Sequence, residues 1–260
     1  MDLAPLTGLF ESFPLAILIF VRVSALFVSG PIIGDGYIPT PIKAILAVAV
    51  TTVLWPLASS TSPIPALDGW FIVLMLKEAL VGVSMGFFVG LFMQGIRFGG
   101  ELINRFSGFS AAENFDPDTN ASVTPIGDVM HMLAVLLFFV WDGHHYFFAA
   151  LARSYEVIPI GAVQITQSFQ LALAQGLDDM SKVAVAMSFP VLATIMAITA
   201  AEGVVTRAVP QINLLSISFA LKIVVSLMVL YAGLPSAVAF IGTVFATMQA
   251  AGMAIIGTLV

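Results

Sequence analysis

Three histidines, His131, His144 and His145, are the first places to look for chemistry, because imidazole binds metals and moves protons near neutral pH. Asp142 stands close to the last two and could complete a donor set. Residues next to each other in sequence point to different sides of a helix, however, so Asp142, His144 and His145 offer no one-faced metal site. A hydrated helix end is the plainer reading. The chain has no cysteine, which excludes disulfides, thiolate ligands and cysteine nucleophiles.

Other candidate catalysts fare no better. Ser110 has no histidine partner at a spacing that would activate it. Gly34–Asp35 matches one half of the motif of intramembrane aspartyl proteases, but the second half, an Asp beside a Tyr within an apolar helix, is missing. The expectation is a protein with no catalytic residue, no metal and no cofactor.

Four charged residues sit where charge is costly. Arg22, Lys77, Glu78 and Lys222 lie near the middles of apolar runs, and each charge at a bilayer centre costs roughly 2.5–3.5 kcal/mol on insertion scales. Lys77 and Glu78 are adjacent, so they face different sides of a helix and cannot easily satisfy each other. They could form a proton or ion relay. Pairing with other helices or subunits, or contact with a wet interior, is the preferred reading.

The elements that must position these groups follow from composition. Hydrophobic residues make up 60% of the 260 residues and charged residues only 9%, too few to clothe a water-soluble surface. The net charge is −6, and nine scattered Lys and Arg residues give no nucleic-acid footprint. An all-α polytopic membrane protein is expected, inserted as one domain over residues 1–260. Seven segments approach the roughly 20 apolar residues that a span needs: 13–33, 42–59, 70–93, 126–151, 183–201, 212–234 and 237–260. Prolines punctuate the joins at Pro39, Pro41, Pro63, Pro65, Pro210 and Pro235. Residues 94–125 and 152–182 form two longer polar connections, and 164–180 reads as an amphipathic helix. With the N-terminus outside, the inner loops hold Lys43, Arg97, Arg105 and Arg207 against Arg153 and Lys182 outside, which favours that orientation slightly. The first run, preceded by Asp2 and Glu11 and no cation, is expected to stay in the mature protein.

Gly82, Gly86 and Gly90 repeat every four residues, a spacing that lets another helix or subunit approach closely, and Gly95, Gly99 and Gly100 continue the run. Pro190 falls inside the fifth span, where it should bend the helix. Residues 106–124 mix Gly, Ser, Asn, Asp and Pro with Phe106, Phe109 and Phe115. A purely solvated linker rarely carries three phenylalanines, so this loop is expected to pack into a vestibule, a pore or a partner.

Taken in order, the residues resemble the FliR/SctT family of flagellar and type III secretion export-gate proteins. The resemblance runs through Arg22–Phe27, Pro31, Gly34, Ile38–Pro39 and Lys43, then Gly99–Gly100–Glu101, Phe115–Asp116–Pro117 and Pro125. It resumes from Phe138 to Gly143–His144 and at Ile158–Pro159–Ile160–Gly161, and closes with Arg207, Pro210–Gln211 and Asn213. From residue 237 onward the sequence is generic and apolar.

The resemblance implies a subunit built of bent helical hairpins, like a fusion of the FliP and FliQ folds. It would join FliP and FliQ in a helical gate in the bacterial inner membrane, at the flagellar basal body, through which unfolded flagellar substrates pass. FlhB would be the neighbouring switch protein and FlhA the cytoplasmic platform. The resemblance also implies a pore plug over residues 106–122. By residue type, Phe106, Phe109 and Phe115 would be its seal, with Gly108 and Pro117 setting its turns. In the same picture the buried charges and the ridge at Gly82, Gly86 and Gly90 serve subunit packing. Use in an injectisome is the alternative, and a small-solute transporter a more distant one, since no matching pair of broken segments marks an inverted repeat. A purely structural subunit would have no need of the aromatic loop.

Overall fold

The structure, a computed structural model, describes residues 4–31, 33–34, 38–61, 68–109, 124–208 and 214–259. Among these the chain is helical, joined by turns, with no strand: α1 (Ala4–Ser29), α2 (Thr40–Thr61), α3 (Phe71–Phe106), α4 (Pro125–Val140), α5 (Gly143–Val157), α6 (Gln167–Ala208) and α7 (Leu214–Thr258). The expected all-α membrane protein is what the chain forms.

Helix boundaries follow local chemistry. Pro125 opens α4 at a position where its missing N–H is no loss, and Asp128 in the first turn complements the helix dipole. Pro41 sits likewise in the first turn of α2. Between α4 and α5 the chain turns at Asp142, whose φ of 55° and ψ of 30° are left-handed.

Four helices, α2, α3, α6 and α7, are long and apolar enough to cross a bilayer, and α4 with α5 makes a fifth if the two form one broken span. That corrects the expectation of seven. The apolar part of α1, Phe13–Ser29, is a shorter helix. The segments expected on either side of Pro235 are one helix of 45 residues. A proline removes one donor, but in apolar surroundings all other peptide groups must still bond internally, so continuing the helix costs less than opening it. The same logic carries α6 through Pro190 for 42 residues, and the amphipathic stretch expected at 164–180 forms its beginning.

The chain divides into two compact units. The first comprises Met1–Leu91, Trp141–Gly176 and Thr247–Val260. Its organising element is α1, where Leu15, Leu18, Ile19, Arg22, Val23, Leu26 and Phe27 are all buried, the 3-4 spacing of a single helix face. Val81, Met85 and Phe88 of α3 and Phe147, Leu151 and Tyr155 of α5 complete this core. The second unit comprises Phe92–Val140 and Leu177–Ala246. Ile126, Met130, Ala134, Leu137 and Phe138 make the buried face of α4, and Phe138 meets Phe245 of α7 edge to face at 5.7 Å.

A buried charge network and the root of the aromatic loop

Arg22 lies in the middle of the buried face of α1, so it must find its partners inside the first unit. Its Nε donates to Glu78 Oε2 on α3 at 2.6 Å, and both side chains are 0% exposed. One terminal nitrogen donates to Ser154 Oγ and the other to the Ile158 carbonyl, each at 3.1 Å. The guanidinium carbon stands 4.2 Å from the centre of the Tyr155 ring, in cation–π contact. Ser154 Oγ donates onward to the Leu151 carbonyl, so its hydroxyl both gives and accepts. The Ile158 carbonyl lies just past the end of α5, where the helix dipole favours a cation.

Glu78 is satisfied at its other oxygen too. Oε1 accepts the Gly161 N–H at 2.9 Å, and Lys77 Nζ donates to the Gly161 carbonyl at 3.0 Å. Adjacent side chains of α3 thus hold opposite ends of one residue. Gly161 has φ +81°, and a Cβ there would come within 2.7 Å of Leu74 Cδ2. The left-handed backbone selects glycine at this turn. Arg22 and Glu78 are closed off from solvent, and their bonds tie α1 and α3 to Ser154 of α5 and the turn at Gly161.

The remaining expected residues fall elsewhere. Lys222 of α7, half-buried, pairs with Glu202 of α6 at 3.0 Å within the second unit. A Cβ on Gly82 would lie 2.3 Å from the Arg22 carbonyl, and one on Gly86 would lie 2.6 Å from the Gly30 nitrogen. The close neighbour at Gly82 and Gly86 is therefore α1 of the same chain, rather than another subunit. At Gly90 the nearest such contact is an ordinary 3.7 Å. Further along α3, Gly95 and Gly99 receive α6 in the same manner, inside the second unit.

The aromatic loop leaves the end of α3 in the second unit. Ser107, fully buried, meets Ser226 of α7 at 2.6 Å. Gly108 follows with φ +86°, its Cα side turned to the Phe219 ring. Phe106 is exposed and Phe109 half-buried. Phe115 and Pro117 lie outside the described residues.

Sequence reasoning missed Ser154, Tyr155, Gly161, Glu202, Phe219 and Ser226. Buried Arg22 demanded acceptors, but only the fold says which ones it reaches. Asp142, His144 and His145, whose spacing gave no one-faced metal site, stand close together: Asp142 Oδ1 lies 3.3 Å from His145 Nδ1, and one ligand atom from each of the three residues falls within 4.8 Å of the others.

An all-helical membrane chain with this order of segments belongs to the bacterial export proteins, family 1, whose family pattern matches residues 13–248. Within that class it falls in the FliR family. It is 30% identical over 217 residues to the flagellar biosynthetic protein FliR of Pectobacterium carotovorum, covering 83% of this chain and 82% of the relative. The FliR of Bacillus subtilis is 28% identical over 228 residues, covering 86% and 88%. That of Caulobacter vibrioides is 30% identical over 217 residues, covering 83% and 86%.

Proposed function

We propose that this chain is a core subunit of the flagellar type III protein export gate in the bacterial inner membrane. With FliP and FliQ it forms the channel for unfolded flagellar proteins, beside FlhB and over the platform of FlhA, and it catalyses no reaction. The observation that carries this reading is the family match over residues 13–248, joined to relatives named for flagellar biosynthesis.

The exposed surface of α7 supports a many-subunit assembly. Only 6% of its most apolar window is buried within the chain. Ile217, Leu221, Val224, Met228 and Tyr231 are exposed and repeat at alternating spacings of four and three, the seam along which helices interlock.

In this reading residues 106–122 are the pore plug. Phe106, Phe109 and Phe115 gain by leaving water, while the Ser, Asn and Asp residues between them resist lipid; a closed, wettable pore suits both. The fixed root at Ser107 and Gly108 supports a loop that departs from a defined point. The test is mild-detergent purification of the tagged chain from its host. Recovery of FliP and FliQ in one complex is expected; a well-behaved monomer with no such partners would contradict the proposal.

A further inference from the structure

We propose that Asp142, His144 and His145 form a binding site for a divalent transition-metal ion of the zinc type, at the break between α4 and α5. The three residues supply two imidazole nitrogens and a carboxylate oxygen, a donor set suited to zinc, nickel or copper rather than to calcium or magnesium. Their ligand atoms lie within 4.8 Å of one another.

The closest pair is informative. Asp142 Oδ1 and His145 Nδ1 are 3.3 Å apart, longer than the usual 2.7–3.2 Å of a good N–H···O bond. Two ligands each roughly 2.1 Å from a tetrahedral ion stand about 3.4 Å apart. The pair is thus spaced as ligands of one ion are. The two imidazole rings lie beside each other with centroids 4.2 Å apart and planes tilted by 39°, and a His144 nitrogen lies within 4.8 Å of the other two ligand atoms.

The backbone supplies the convergence. Asp142 is the non-glycine residue with positive φ among the described residues, and this turn folds its carboxylate back over the first turn of α5. Asp142 and His145 stand three apart, a spacing that meets on one helix face, and His144 lies beside them. The N-terminus of α5 repels a cation, and the Asp142 carboxylate offsets that repulsion. Asp142 and His145 are exposed on the surface of the chain, which leaves open positions around an ion held there.

The experiment uses the full chain in the complex that it forms in its host, purified without a polyhistidine tag into lipid nanodiscs and stripped with chelator. Zn2+ is titrated by calorimetry into the native chain and into Asp142→Asn and His145→Ala. Asparagine tolerates the left-handed conformation, and His145 is exposed, so both variants should keep the fold; circular dichroism checks this. The expected result is saturable binding of one Zn2+ per chain, weakened roughly tenfold or more in each variant. Co2+ substitution should give the intense visible bands of a low-symmetry nitrogen–oxygen site, absent in the variants. Absence of saturable binding, or binding equal in native chain and variants, would overturn the proposal.

Discussion

Arg22 and Glu78 meet at 2.6 Å across 56 residues of sequence, and neither side chain touches solvent. Removing one partner leaves the other charge buried and alone, which typically costs about 3–5 kcal/mol. Glu78→Ala should therefore sharply reduce the yield and melting temperature of the detergent-solubilised chain. Replacing both residues, as Arg22→Met with Glu78→Met, removes the stranded charge and should recover part of that loss. A double variant as unstable as the sum of the single ones would show that the ion pair is not the source of the effect.

The glycines of α3 give a graded test. Gly82→Ala and Gly86→Ala drive a methyl into the α1 backbone and should each cost about 1–3 kcal/mol, whereas Gly90→Ala, with ordinary space around it, should fall within ~0.5 kcal/mol of the native chain. Gly86→Leu should abolish assembly and motility. Gly161→Ala adds left-handed strain of roughly 1–2 kcal/mol and loosens the hold of Lys77 and Glu78 on that turn. The measurement is thermal unfolding of each variant in one detergent. Equal effects at Gly82, Gly86 and Gly90 would contradict the packing of α1 on α3.

How far the sequence could be read depended on whether the signal was local. The apolar run of α1 is visible in the sequence, but its buried face is not, because Ile17, Phe20 and Val21 are as apolar as the buried positions; the glycine run of α3 announced a close neighbour. Which neighbour it was depended on contacts between distant segments, and of the helix or subunit expected at this face it is α1 that lies against Gly82 and Gly86. Pro235 misled because its helix-breaking tendency was weighed without the long apolar runs on both sides, which leave the backbone nothing else to bond to. Asp142 and His145 stand three apart, so their approach was legible as helical spacing, whereas the placement of His144 beside them came only with the fold. The charges of Arg22 and Glu78 were recognised as costly, but Ser154, Ile158 and Gly161 act through backbone position and a hydroxyl, which carry little sequence signal.

The plug reading predicts a leak. Burying an aromatic ring is worth roughly 1.5–3 kcal/mol, so three rings can hold a loop closed yet yield to an inserting polypeptide. Cells expressing the full gate without residues 109–119 should assemble the complex and become permeable to ions and small toxic solutes. If the truncated gate assembles and stays as tight as the intact one, the seal lies in the partner subunits.

Export itself tests the central claim most directly. In the bacterium that carries this chain, its gene is deleted and flagellar filament protein in the culture medium is measured by immunoblot. The account predicts that the filament protein stays inside the deleted cells and returns to the medium when the native chain is supplied, but not when Gly86→Leu is supplied. Filament protein reaching the medium at the normal level without this chain would contradict its role as a core subunit of the export gate.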